Sequence, residues 1–122
     1  IMARKMTEAQ RAALAMAHDA QREAQRSADI ALYTQAAERL TAEDREWLRE
    51  TIAAAQPLPY EGDFVNDEAR VKCAIGGGHH VRTEEIAVRI GLIREGATID
   101  MIMAAAPTNV AELVLHIGID NL

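Results

Sequence analysis

The sequence predicts an all-α fold in which a long N-terminal helical hairpin is followed by a cluster of short helices. Three observations lead to this prediction. Glycine and proline are both missing from Thr7 to Leu40, apolar residues recur there every three or four positions, and aromatic residues make up 3% of the 122 residues. This period is that of an amphipathic α-helix, and a chain so poor in aromatic residues is poorly suited to a β-sandwich.

The first helix is predicted from an apolar stripe that follows Thr7. The members of the stripe are Ala9, Ala13, Met16, Ala20, Ala24, Ala28, Leu32, Ala36 and Leu40. Thr7 and Gln10 have the spacing of a capping box, in which each side chain accepts a hydrogen bond from the other residue's amide. The stripe fits one long helix, or two helices broken near Ser27, and both alternatives stay open.

A second helix is predicted to begin at Thr41, which has Asp44 three positions later. It is expected to end before Pro57, because proline has no amide hydrogen to continue a helix. Together the two helices form the predicted hairpin of residues 7–55.

Residues 56–67 are predicted to connect the hairpin to the rest of the chain, because they contain two prolines and a glycine. Tyr60 and Phe64 are expected to pin this connector against the helices. The segment after Asn66 fits a short strand or a helix, and we favour a helix with Asn66 as its N-cap. Residues 68–122 then form the short-helix cluster, and all 122 residues are predicted to be a single domain.

The C-terminal third contains one pattern twice. Residues 85–92 and 112–119 both read acid, three aliphatic residues, base, Ile, Gly and aliphatic. Gly91 and Gly118 are predicted to end two buried helices, because glycine readily adopts the left-handed conformation that follows a helix. The first of these two helices is predicted to start at Thr83.

A further short helix is predicted between these two, from Thr98 to Ala106. Pro107 is expected to stop it, since proline inside a helix costs about 3 kcal/mol. Thr108 or Asn109 would then cap the last helix of the chain.

Charge and composition argue against several classes of protein. The formal net charge of −6 disfavours a general nucleic-acid binder, which carries a basic excess. The single cysteine, Cys73, cannot form an internal disulfide, which fits a reducing cytoplasm. No apolar run approaches the roughly 20 residues of a membrane span, so we predict a cytoplasmic protein with no membrane partner. The richness in Ala and Arg fits a high-GC bacterial or phage genome.

The most function-like stretch is a glycine-rich segment ahead of a predicted helix. Its residues are Gly76, Gly77, Gly78, His79 and His80, with Arg82 close behind. Glycines let a ligand approach the backbone, and a helix N-terminus attracts anions, so the stretch is a candidate anion-binding site. It matches neither the phosphate-loop pattern nor the dinucleotide fingerprint. A flexible surface loop is the alternative interpretation.

No catalytic, metal or cofactor site is predicted. Ser27 lies inside a helix with no strained turn to expose it, and Cys73 has no orienting acid beside a histidine. Cys73, His79 and His80 are too few ligands for a closed structural zinc site. The chain is therefore predicted not to be an enzyme and to hold no cofactor.

A helix-turn-helix protein that binds DNA is the alternative class. Ala87 stands four positions before Gly91, as in the support helix of that motif, and Thr98–Ala106 would be the reader helix. The candidate DNA-binding residues are Arg82, Arg89 and Arg94. Two observations count against this alternative: the connector is longer than the usual turn, and the reader helix has no side chain suited to base edges.

The function we favour is that of a small, non-enzymatic regulatory protein that binds a protein partner. Inhibitor, adaptor and assembly factor are not separated by the sequence. A homodimer through the Ala-rich stripe is expected, because an unbroken helix from Thr7 to Leu40 would be about 50 Å long and would exceed the diameter of a domain of this size. Nucleic acid is the alternative partner.

Overall fold

The computed structural model describes residues 5–57 and 62–122, and the predicted all-α class is confirmed. Within these ranges the chain has no strand. The helices are α1 (Glu8–Glu38), α2 (Ala42–Ala53), α3 (Asp67–Val71) with a π-helical continuation (Lys72–Gly76), α4 (Val81–Arg89), α5 (Ile99–Ile117) and a 3-10 turn (Ile119–Asn121). Pro59 and Tyr60, to which the sequence assigned roles in the connector, lie outside the described residues.

The described chain forms two compact units, one that ends at Ala31 and one that runs from Leu32 to Leu122. The hydrophobic core belongs to the second unit. Its buried apolar residues are Ala36, Leu40, Leu48, Ile52, Val71, Ala74, Ile75, Ile86, Ala87, Ile90, Leu92, Ala106, Val110, Ala111, Leu113 and Val114. In the described part of the first unit no residue is buried.

α1 is one helix, not two, and it passes through Ser27 without a break. The capping box at its start is present: the Thr7 amide donates to Gln10 Oε1 at 2.9 Å, and the Gln10 amide donates to Thr7 Oγ1 at 3.1 Å. The predicted pairing of α1 with α2 as a hairpin over residues 7–55 is not confirmed.

α2 begins as predicted, with Thr41 as its N-cap, and ends at Ala53. α3 also begins as predicted, with the Asn66 side chain accepting the Ala69 amide at 2.8 Å. Phe64 in the connector is half-buried and lies under the Arg70 guanidinium, 5.0 Å from ring centroid to carbon.

α4 ends as predicted, because Gly91 follows it in the left-handed region with φ +85°. Its start is two residues earlier than predicted. His80 is the N-cap, and Thr83 is a buried residue of the first turn. Thr83 cannot serve as the cap because its hydroxyl is enclosed in the core and accepts no bond from an amide.

The predicted short helix over Thr98–Ala106 and the predicted separate last helix are both wrong, because α5 runs from Ile99 to Ile117 with Pro107 inside it. Thr98 does cap its start, and Gly118 follows its end with φ +89°. Pro107 is buried together with four apolar residues that follow it, so burial offsets the proline penalty of about 3 kcal/mol. Asn109 is no cap: its side-chain amide reaches the Leu92 carbonyl at 3.5 Å.

Candidate functional site

Asp44 is a buried carboxylate at the start of α2, with its side chain 1% exposed. Its Oδ2 accepts the Thr41 amide at 2.9 Å, and Thr41 Oγ1 accepts the Asp44 amide at 3.1 Å. This reciprocal pair satisfies two amides that no preceding turn can bind. Asp44 therefore caps α2 with one oxygen and keeps the other for a second partner.

Two arginines of α4 bind that second oxygen. Arg89 Nη2 lies 2.6 Å from Asp44 Oδ1, and Arg82 Nη2 lies 3.4 Å from it. Burial by itself raises the pKa of Asp44, but the hydrogen bonds from Arg89 and Thr41 outweigh it and lower the pKa from 3.8 to about 2. The hydrogen bond to Asp44 in turn raises the pKa of Arg89. Asp44 is thus charged at neutral pH and links α2 to α4.

These groups line a small polar cleft of about 260 Å³. Its lining residues are Thr41, Glu43, Asp44, Arg82, Glu85 and Arg89. Three carboxylates face two guanidiniums, so the cleft has no positive excess with which to attract an anion. Its chemistry is that of an ion-pair network between helices.

The candidate anion loop packs against other parts of the second unit through His80. The His80 ring packs edge-on against Trp47 with centroids 5.6 Å apart, and His80 Nε2 lies 3.2 Å from the Ala74 carbonyl oxygen. A Cβ on Gly78 would meet His80 Nε2 at 2.5 Å, and one on Gly76 would contact Ala111 at 3.6 Å. His80 thus contacts the π-helix, and the missing Cβ of Gly78 makes room for its ring, whereas a Cβ on Gly76 would fit in ordinary contact with α5.

Gly77 and His79 of the same loop are exposed. Arg82, the last of the six candidate anion-binding residues, is bound to Asp44. The six residues are neighbours in the sequence, and in the structure two of them, His80 and Arg82, are already bound to other parts of the protein. The anion site stays a prediction that this geometry does not favour.

The three candidate DNA-binding arginines also have partners of their own. Arg82 and Arg89 share Asp44, and Arg94 Nη2 lies 3.7 Å from Met101 Sδ. The predicted reader helix is the first half of α5, which opens with Ile99, Asp100 and Met101. The three arginines therefore do not form a free basic surface that would face a phosphate backbone. DNA binding stays a prediction without a structural argument in its favour.

An open apolar groove lies between α4 and the first half of α5, with a volume of about 570 Å³. The groove is lined by Glu84, Glu85, Val88, Arg89, Ile99 and Ile102. Val88 is 49% exposed and Ile99 is 74% exposed. Both belong to residue types that normally bury their side chains, so this groove is an uncovered apolar surface.

A second exposed apolar surface lies on α1, along the side formed by its small residues. Ala13, Ala17, Ala20, Ala24, Ser27 and Ala31 follow one another at alternating spacings of four and three. This spacing places them along one side of the helix, and all of them are exposed. Leu14 and Met16 flank this side and are 43% and 72% exposed. We call the six small residues the α1 face.

The described residues contain no group of three or more His, Cys, Asp or Glu side chains that could hold a metal ion. Cys73 is a free, exposed thiol. Thr83 Oγ1 is buried without a hydrogen-bond partner, but it lines neither of the two clefts described above. Along the described chain no helix is both long and apolar enough to cross a membrane.

Sequence reasoning missed both the Asp44 cluster and the groove. One signal for the cluster was available, since Arg82 and Arg89 stand seven positions apart and so share a face of α4. Their acidic partner is 38 and 45 residues away, a distance that no local pattern spans. The groove had a weaker signal: the start of α5 is apolar, as is typical of a core helix, but the structure leaves it open.

Comparison with known proteins gives no match: no family model, no curated protein and no solved structure is significantly similar to this chain.

Proposed function

We propose that this chain is a non-catalytic interaction protein that binds other polypeptides, and that its α1 face binds a second copy of the chain. The observation that carries the proposal is the exposure of every residue of α1 from Glu8 to Leu32. Contiguous apolar patches that a folded protein leaves exposed mark interaction sites. An apolar face that is continuous and uncovered is therefore best explained by a partner.

The α1 face is self-complementary, which argues for a second copy. Its pattern reads the same in both directions about Arg22: Ala20 matches Ala24, Ala17 matches Ser27, and Ala13 matches Ala31. A twofold interface places the same surface on both subunits. Two antiparallel copies of α1 would thus pair small residues with small residues along the whole face, which lets the helix backbones come close.

Charge supports the same arrangement. The polar side of α1 carries its own ion pairs, such as Arg22 with Asp19 at 2.7 Å and Arg26 with Glu23 at 3.8 Å. The α1 face has no charged residue, so burying it in a dimer removes no charged side chain from water. Antiparallel packing also sets the helix dipoles in opposition, which is favourable.

The test is the mass of the protein in solution, measured by light scattering behind size exclusion at about 100 µM, where mass action favours association. The wild-type protein is expected at twice its 13.3 kDa. Ala20→Glu, which places a charge on the α1 face, is expected to raise the dimer dissociation constant at least ~10-fold. Ala15→Glu makes the same change on the opposite side of the helix and is expected to remain dimeric.

Circular dichroism of both variants shows whether α1 stays helical, so that loss of the dimer is not confused with loss of the helix. A wild-type protein that elutes as a monomer at about 100 µM would overturn the dimer. Equal effects of Ala15→Glu and Ala20→Glu would show that the α1 face is not the interface.

A further inference from the structure

The groove between α4 and α5 has the chemistry of a docking site, and we infer that its occupant is an amphipathic helix with basic flanks from a partner protein. This inference is independent of the α1 face, because every residue that lines the groove lies in the second unit. Its volume of about 570 Å³ holds several aliphatic side chains.

The floor of the groove is apolar. Val88 on α4 faces Ile99 and Ile102 on α5 across it. Ile99 is 74% exposed although it is the first residue of α5, where any polar residue could stand. Aliphatic side chains spaced along one face of a helix are the usual means of filling such a groove.

The net charge of the groove predicts which charged residues lie beside the apolar residues of its occupant. Glu84 and Glu85 are its carboxylates, and Arg89 is its guanidinium. Two carboxylates against one guanidinium leave the lining with a net negative charge, and that guanidinium is itself bound to Asp44 at 2.6 Å. A partner with Lys or Arg beside its apolar residues complements this charge, whereas an acidic partner is repelled.

The experiment uses two synthetic helical peptides of about 18 residues, with Leu at helical spacing and either Lys or Glu at all flanking positions. Binding to the full chain is followed by fluorescence anisotropy at about 0.15 M salt, where exposed charges are screened beyond roughly 8 Å. The Lys-flanked peptide is expected to bind at least ~10-fold more tightly than the Glu-flanked peptide. A scrambled Lys peptide that lacks the apolar face is expected to bind no better than the Glu-flanked peptide.

Ile99→Glu separates docking from simple attraction between a basic peptide and an acidic protein. The variant makes the groove more acidic, so non-specific attraction would increase, yet loss of the apolar floor is expected to weaken the Lys-flanked peptide at least ~10-fold. Glutamate is favourable in the first turn of a helix, so α5 is expected to persist. Val65→Glu adds the same charge at a residue that is 92% exposed and outside the groove, and it is expected to leave binding unchanged.

Three results overturn the inference: equal binding of the Lys-flanked and Glu-flanked peptides, binding that Ile99→Glu leaves unchanged or strengthens, and no binding of the Lys-flanked peptide at about 100 µM. A fourth concerns the second copy as occupant. If Ile99→Glu, and not Ala20→Glu, converts a dimer into a monomer, the groove belongs to the dimer interface; the proposal that the α1 face is the interface and the inference that a partner helix occupies the groove are then both wrong. Loss of the dimer in Ala20→Glu alone leaves the groove inference intact.

Discussion

From Glu8 to Ala31, α1 is stabilised by contacts within the helix, whereas α4 is stabilised by contacts with other elements. This part of α1 has a capping box at Thr7, the Asp19–Arg22 ion pair and a hydrogen bond from Gln25 to Asp29 at 2.9 Å. Each such local pair contributes about 0.2–0.5 kcal/mol. α4 has only 9 residues and no side-chain cap, but it buries Thr83, Ile86 and Ala87 completely.

The two helices therefore depend on different sources of stability. α4 is too short to be stable alone, since isolated helices below about 12–15 residues are marginal in water; it exists because the core holds it. α1 is long, rich in Ala and free of glycine and proline, so local propensity favours it without any core. A helix that needs no core can offer its apolar side to a partner.

The largest expected difference between the two regions is in the unfolding free energy lost when one leucine of each is replaced by alanine. Leu113 is fully buried, and Leu113→Ala is expected to cost about 3 kcal/mol of unfolding free energy, within the usual 2–5 for a core leucine. Leu14→Ala changes a leucine that is 43% exposed and is expected to stay within about 0.5 kcal/mol. Urea unfolding in an Ala20→Glu background measures both without a contribution from self-association. Equal losses would contradict the difference between the two regions.

A smaller effect tests the charge that links α2 to α4. The pKa of Asp44 is lowered from 3.8 to about 2 in the folded state. Stability from this group is therefore present above pH 4 and is lost as the pH falls towards 2; its size is roughly 2 kcal/mol. Asp44→Asn keeps the cap geometry and removes the charge. Its free energy of unfolding in urea is therefore expected to be lower than that of the wild type at pH 7 and to approach the wild-type value near pH 2.

Glu46→Gln is the matched control for Asp44, because it neutralises an exposed acid of the same helix that lies outside the cleft. It is expected to leave the unfolding free energy within about 0.5 kcal/mol at pH 7. A difference between Asp44→Asn and wild type that stays constant from pH 7 to pH 2 would show that the charge of Asp44 is not what stabilises the fold.

The smallest effect is expected at Thr83, whose buried hydroxyl has no partner. Thr83→Val keeps the shape of the side chain and removes the cost of dehydrating the hydroxyl, so it is expected to raise the unfolding free energy by about 0.5–1 kcal/mol. Thr108→Val, at an exposed position of α5, is the control and is expected to have no measurable effect. A loss of stability in Thr83→Val would show that the hydroxyl has a partner in solution.

The sequence predicted well the features that depend on a few neighbouring residues. The caps at Thr7, Thr41 and Asn66 and the glycine at Gly91 were predicted correctly, because each is decided within one helical turn. The course of α5 was predicted wrongly, because Pro107 is unfavourable locally and is offset only by residues that are buried in three dimensions.

The candidate site was less predictable for the same reason. Arg82 and Arg89 were candidate DNA-binding residues of the alternative function, but α2 brings Asp44 to them across more than thirty residues of sequence. His80 was a candidate anion-binding residue, but its ring lies against Trp47. A titratable side chain in a sequence shows its chemistry but not its partner, and here the partners lie on other helices.

Pro107 also divides α5 into two halves that differ in what holds them. Proline has no amide hydrogen, so the carbonyl four residues earlier, that of Met103, lacks its helical donor. No residue of α5 before Ala106 is buried, whereas Ala106 and five of the eleven residues that follow it in α5 are. The missing hydrogen bond falls at this boundary, and the half that carries Ile99 and Ile102 can open locally while the other half stays packed. One wall of the groove is thus held by fewer buried residues than the other, and a helix that occupied the groove as proposed would meet a wall that can move without disturbing the core.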